Sequence, residues 1–273
     1  MNPATVCLEA LRESMAASRG IAAGVWWNVA LLAGSLAALP FDRRSIFGLN
    51  PWIKPIKFEL SVIVFLLTVG LMLWGLGDGG DRPALARSRA WLGWGFGVAM
   101  IVENTIIALQ SARGVPSHMN YSTPLNGMLF GVMGLFILLN TAFAAWLLAL
   151  WMRTGAGLES AVVWGIRLGL LFLLVGSIEG VRMVAHGAHT VGASDGSAGL
   201  PFLNWSTRYG DLRVAHFFAL HALQAFPLAG FALAALKLRE GVQLGALFAF
   251  AAVYSAAVWW LFAEAMRGVP LLP

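Results

Sequence analysis

Residues 124–152 read PLNGMLFGVMGLFILLNTAFAAWLLALWM, twenty-nine residues with no charged side chain. A helix needs about 20 mostly apolar residues to cross the hydrocarbon of a bilayer. This stretch exceeds that length. It lacks the two-residue alternation of a barrel strand and is far too long for one. Six further stretches satisfy the same test: 21–40, 54–77, 88–112, 160–187, 212–237 and 242–267. The reading is an all-α, polytopic integral membrane protein, a seven-transmembrane-helix bundle. Short connections make it one domain over 1–273.

Composition agrees. Of 273 residues, 59% are hydrophobic and 11% are charged, whereas soluble domains carry about 25% charge. Disordered chains have the opposite bias. One Cys excludes a disulfide scaffold, and Cys7 reads as a lone thiol. Residues 1–18 are mildly amphipathic and lack the apolar core and cleavage site of a signal peptide. A net charge of +5 suits anionic lipid headgroups, not nucleic acid, because no soluble basic surface exists to present.

Seven spans alternate between two faces. The Lys and Arg count is tied at nine per face, so the positive-inside rule does not orient the chain directly. Several cations of one face sit in helix ends beside carboxylates and read as parts of a site. Setting those aside puts that face, with the 1–2, 3–4 and 5–6 connections, in the periplasm of a bacterial inner membrane.

That face carries all five histidines: His118, His186, His189, His216 and His221. The spans also hold Glu59, Glu103, Glu179 and Glu264. A charge at membrane depth costs roughly 2.5–3.5 kcal/mol on insertion scales and usually pairs or serves a function.

Three segments concentrate this chemistry. In NPWIKPIKFELS (50–61), Pro51 and Pro55 suit a helix start. Lys54 and Lys57 share a face and Glu59 follows. The lysines could snorkel to headgroups; a carboxylate reaches less far. In ENTIIALQSARGVPSHMNYSTPLNG (103–127), Glu103 and Gln110 are i,i+7 on one face. Arg113 and Gly114 close the helix, and Pro116, Ser117, His118 and Asn120 make a polar turn. In residues 177–227, Glu179, Arg182 and His186 align along one face. His186 and His189 are spaced to approach one centre, and 190–199 is a flexible Gly/Ser-rich loop of the kind that covers sites. Asp211 is a plausible N-cap. His216 and His221, five residues apart, point in different directions. His221 shares a face with Gln224, and Pro227 opens the helix below.

Familiar signatures are missing: HExxH, HxxxH, CxxC and the P-loop do not occur. No lysine sits mid-way along the last span, so a retinal Schiff base has no anchor. Asn140 and Thr141 read as interhelical hydrogen bonds, and Gly127 with Gly131 as small-residue helix packing. Glu264 and Arg267 should pair. No internal repeat is visible, which counts against an inverted-repeat transporter.

The runs NPWIKPIKFELS, QSARGVPSHMN and GDLRVAHFFALHALQAFP resemble those of an uncharacterised group of bacterial polytopic membrane proteins. The resemblance covers most of the chain and implies no activity or cofactor. Membrane hydrolases related to alkaline ceramidases and adiponectin receptors share seven spans and a histidine-bound zinc. This sequence lacks their HxxxH pair and has no histidine in the second or seventh span.

The leading expectation is a histidine and carboxylate site near one membrane face that binds haem b or a transition metal. For haem, His216 and His221 are the axial candidates, with Arg113, Arg213 and Lys57 placed for propionates. For zinc, copper or iron, the ligands would come from His118, His186, His189, His216 and His221. Glu103 and Glu179 are candidate bases and Arg182 a charge-stabilising partner. Glu59, Gln110, Asn120 and Gln224 complete the polar network. Haem or copper would make the protein an oxidoreductase using an unidentified small-molecule substrate or electron donor, and zinc a hydrolase. The alternative is a proton-coupled transporter or membrane sensor that uses the same ionisable network without a metal.

Overall fold

The computed structural model describes residues 3–77, 82–154 and 157–272, with side chains from residue 8 onward. The expectation for the Cys7 thiol lies outside the described residues. The fold is an all-α polytopic bundle: eight helices among the described residues, seven of them long and apolar enough to cross a bilayer. They are α1 (Pro3–Ala16), α2 (Arg19–Ala38), α3 (Ile53–Gly75), α4 (Pro83–Arg113), α5 (Pro124–Arg153), α6 (Ser160–His186), α7 (Leu212–Ala235) and α8 (Glu240–Met266). A two-stranded antiparallel pair, β1 (Thr190–Val191) and β2 (Gly210–Asp211), precedes α7.

Local chemistry sets the boundaries. Ser18 caps α2 by accepting from the Gly20 amide, satisfying a donor the helix cannot. Pro83 occupies the first turn of α4, where the missing N–H costs nothing. That helix begins five residues before the apolar run, because Pro83 to Arg87 extend it beyond the hydrophobic stretch. Gly114 and Gly187 end α4 and α6 in the left-handed region at φ 74°, a conformation glycine adopts without strain. Asp211 caps α7 by accepting from the Arg213 amide.

The chain forms two compact units: Met1–Ile46 with Asn50–Phe143, and Phe47–Leu49 with Ala144–Pro273. In the first, glycines bring helices together. A Cβ on Gly97 would lie 2.1 Å from the Gly20 carbonyl oxygen, and one on Gly20 would lie 2.5 Å from Trp94 Cα. Lipid tails are as apolar as leucine, so close van der Waals contact between small residues drives such packing. Asn104 donates to Asn28 across the same seam at 2.5 Å. Helix α1 packs on α3 through Ser14, which is buried and donates to the Leu67 carbonyl at 2.6 Å. The amphipathic N-terminal segment is thus part of the bundle.

In the second unit, Gly165, Gly169 and Gly176 of α6 face the backbone of α7. Pro227 leaves the Leu223 carbonyl without its helical donor. That carbonyl would lie 3.2 Å from a Cβ on Gly169, so the bulky side of α6 is kept away from it. Ala222, Phe226 and Ala251 form the apolar core with Leu168, Phe172 and Tyr254.

Two packing expectations are corrected. A Cβ on Gly131 meets nothing within 4 Å, and one on Gly127 meets only Tyr121. Small residues do meet between α2 and α4, between α6 and α7, and between α1 and α3, where Gly70 faces Ser14. Thr141 donates to Ile137 of its own helix at 2.9 Å, and the Asn140 amide oxygen has no partner among the described residues. A hydroxyl satisfied within its own helix needs no neighbour.

Many large apolar side chains of the spans lie on the outside, among them Leu138, Leu228, Val253 and Trp259. In water such a surface would aggregate; here it meets lipid. The chain is an integral membrane protein in contact with bilayer lipid.

Candidate functional site

The predicted residues divide between the two units. In the first, the turn after α4 drops into the bundle and sets His118 between Phe58 of α3 and Phe130 of α5, with ring centroids at 5.6 and 6.1 Å. Lys54 Nζ, from the first turn of α3, lies 3.2 Å from His118 Nδ1, and Ser117 Oγ lies 3.0 Å from the same nitrogen. On the other edge of the ring, Nε2 lies 3.7 Å from Glu103 Oε1. Glu103 is 3% exposed, and its Oε2 has no hydrogen-bond partner among the described residues. An ammonium can only donate. Its proximity to Nδ1 therefore selects the imidazole tautomer whose Nε2 carries a hydrogen toward Glu103.

A second set of polar groups abuts this one. Arg113 donates from Nη1 to Gln110 Oε1 and, at 2.8 Å, to Asn126 Oδ1. Gln110 Nε2 donates to Asn126 Oδ1 at 3.1 Å. Asn120 holds the turn: Nδ2 donates to the Pro116 carbonyl at 2.8 Å, while Oδ1 accepts from the Ser122 amide and hydroxyl. Gln110, Asn120 and Asn126 are buried. Lys57 is half-buried one turn beyond Lys54. Glu59 is fully buried; its Oε1 accepts from Ser35 of α2 at 2.9 Å and its Oε2 has no partner among the described residues. Glu59 thus bonds to α2, while Glu103 faces His118.

At the same end of this unit the 39–52 connection is latched to α4. Asp42 accepts from the Arg44 amide, Nε and Nη2 and from Trp52 Nε1, and Arg44 also donates to the Ala112 carbonyl. The Arg44 hydrogen bonds hold the Asp42 carboxyl well below the ordinary carboxylate range.

In the second unit, His216 Nδ1 lies 2.8 Å from the Gly176 carbonyl oxygen. A carbonyl accepts only, so Nδ1 carries the hydrogen and Nε2 carries the lone pair. The ring lies against Gly180, where a Cβ would come within 3.2 Å of it. His221 Nδ1 is 3.3 Å from Gln224 Oε1, as their shared face implies. His186 Nε2 approaches the Thr190 carbonyl at 3.2 Å, whereas His189 Nδ1 approaches Asp195 Oδ2 at 2.6 Å. The two rings are engaged by different partners. Arg213 is taken up by Asp211 and the Asn204 carbonyl. Glu264 and Arg267 pair at 2.7 Å.

The Gly/Ser-rich loop after α6 is tied down rather than loose. Thr190 pairs with Asp211, Val191 with Gly210, and Gly199 bridges to Ser206. Asp195 accepts from the His189 and Thr190 amides. Burial alone would raise the Asp195 carboxyl; hydrogen bonds from His189 and Thr190 outweigh it and hold the group below the ordinary range.

Glu179 and Arg182, on one face of α6, line a cavity of about 510 Å³ shared with α8. His186 is not among its lining residues. Among the described residues no three His, Cys, Asp or Glu side chains are grouped to hold a metal ion.

Sequence reasoning did not single out Ser35, Asn28, Asn104, Asn126 or Asp195. Two of them, Asn28 and Ser35, carried a signal. Asn28 and Ser35 are i,i+7 inside an apolar span, a pattern that marks a polar seam. Asp195 carried none, because its partner is set by how the loop folds back. No family model, curated protein or solved structure matches this chain.

Proposed function

We propose that this protein is a proton-coupled membrane carrier, with Lys54, His118 and Glu103 forming the relay that loads and unloads its proton. The observation that carries the reading is the order of these groups: Lys54 Nζ 3.2 Å from His118 Nδ1, and His118 Nε2 3.7 Å from the buried Glu103. Glu103 lies ten residues before the end of α4, about 15 Å down the helix. An imidazole passes a proton by taking one at one nitrogen and releasing one from the other. The 3.7 Å gap exceeds hydrogen-bond length and closes by side-chain rotation or one water. Intramembrane carboxylates beside histidines are the usual parts of proton relays in transporters. Both ring nitrogens face protein groups, so His118 is better arranged to shuttle a proton than to ligate a metal.

The test is proton uptake into proteoliposomes loaded with a pH-sensitive dye under an imposed potential. Wild type should acidify the lumen well above protein-free vesicles, and Glu103→Gln and His118→Gln should each lose most of that rate. Equal rates in all three proteins would overturn the proposal.

A second reading keeps the haem b or transition-metal expectation, on one observation. His216 Nδ1 is anchored to a backbone carbonyl, the arrangement that orients a histidine for ligation through Nε2. Absorption spectra before and after reduction test it. A Soret band that shifts on reduction and is lost in His216→Ala supports it; a featureless visible region removes haem.

A further inference from the structure

The cavity between α6 and α8 is lined by neither the relay residues nor His216. It is walled by Phe172, Trp259 and Phe262 and carries Glu179 and Arg182 on one wall. Glu179 Oε2 is buried and has no hydrogen-bond partner among the described residues, an arrangement that costs free energy unless something polar arrives. No ion pair joins Glu179 to Arg182 among the described residues, although they are i,i+3 neighbours. At the rim, Ile178 is 65% exposed and Trp259 70% exposed. Both lie on membrane-spanning helices, so the opening faces lipid and the occupant comes from the bilayer.

The order of charges narrows the occupant. Glu179 is seven residues before the end of α6, about 10 Å down the helix, and Arg182 is one turn nearer the end. The acid is therefore deeper than the cation. A zwitterionic phospholipid has its phosphate nearer the tails than its amine, and it would set the phosphate against the carboxylate. A fatty acid would satisfy Arg182 and lay its tail on Glu179. A quinol meets both demands, because one hydroxyl donates to a carboxylate while the other oxygen accepts from a guanidinium. Its two ring oxygens lie at opposite ends of the ring, where two long side chains one helical turn apart can each reach one. Its ring suits three aromatic walls, its tail suits the lipid-facing mouth, and the volume falls in the range of small-molecule sites.

We propose that the α6/α8 cavity binds the head group of an isoprenoid quinol, one ring hydroxyl donating to Glu179 and the other ring oxygen accepting from Arg182. Binding is the whole of the proposal; it requires no electron transfer and does not depend on the proton relay.

The test is titration of a short-chain quinol, decylubiquinol kept reduced under nitrogen, into the full-length protein in phosphatidylcholine nanodiscs. Quenching of tryptophan fluorescence is the signal, because Trp259 lines the cavity. A saturable component should appear in wild type and vanish in Trp259→Phe. Glu179→Ala should weaken the apparent Kd by about tenfold, the worth of one charge-assisted hydrogen bond. Ile178→Trp, a rim change outside the packed core, should abolish saturation while the protein stays monodisperse. Quenching that rises linearly and equally in all four proteins would mean partition into lipid only and would overturn the proposal. So would a phospholipid that co-purifies with wild type and is lost from Glu179→Ala.

Discussion

Replacing Gly97 by alanine tests the packing that positions α4, and with it Glu103. The added Cβ would lie 2.1 Å from the Gly20 carbonyl oxygen and 2.7 Å from its carbon. Both are backbone atoms, so no side chain can swing aside. Ordinary contact begins near 3.4 Å, so α2 and α4 must part by more than 1 Å at this point. Overpacking of this kind costs about 1–3 kcal/mol. The Asn104 to Asn28 hydrogen bond lies two turns along the same seam; stretching it adds roughly 0.6 kcal/mol, the average for interhelical bonds in membranes. Less the gain of about 1 kcal/mol in helix propensity, the total is about 0.6–2.6 kcal/mol, a shift of roughly 3- to 70-fold in the folded-to-unfolded ratio at 1.4 kcal/mol per tenfold. Gly131→Ala is the control: its Cβ meets nothing, and alanine's helix propensity is better by about 1 kcal/mol. Reversible unfolding in mixed micelles, followed by helical circular dichroism, measures both. A Gly97→Ala protein within 0.5 kcal/mol of wild type would refute the claim that this contact sets the helix spacing.

Other outcomes follow from the same geometry. Ser35→Ala removes the hydrogen bond to buried Glu59 and should cost about 1–3 kcal/mol in the same assay; restoration of stability by Ser35→Ala with Glu59→Leu would show that the pair is structural. Asp195→Ala removes the acceptor for the His189 and Thr190 amides, and hydrogen exchange at those two amides should quicken by tenfold or more while mid-α6 amides do not change. The Asp195 carboxyl is depressed in the folded loop, so its contribution is fully present above the unfolded value of about 3.9 and is lost as pH falls through the folded value. Exchange at these amides should therefore be flat from pH 7 to 5, after correction for the intrinsic rate, and accelerate only in stronger acid. Asn126→Ala should leave Arg113 and Gln110 without their shared acceptor and lower proton uptake several-fold without abolishing it.

The helices were legible because hydrophobic length and capping are local properties. Gly114 and Asp211 ended and began helices where their chemistry places them, and Glu264 found Arg267 three residues away. Partners distant in sequence were not legible. That Ser35 meets Glu59, or that Lys54 meets His118 across sixty-four positions, depends on helix rotation, which the uniformly apolar spans do not encode. The glycines show the same limit. The spacing at Gly127 and Gly131 looked like that at Gly20 and Gly24, yet only the latter pair meets a facing helix. The histidines shared a predicted face but not a centre, because each ring is engaged by its own nearest acceptor or donor.

The central claim is that Glu103 exchanges its proton through His118. Infrared difference spectroscopy between acid and alkaline buffer reads this directly, through the protonated-carboxyl stretch. A band should appear in wild type, be absent in Glu103→Gln and shift its titration midpoint in His118→Gln. An unchanged band in Glu103→Gln, or a Glu103 titration indifferent to His118, would contradict it.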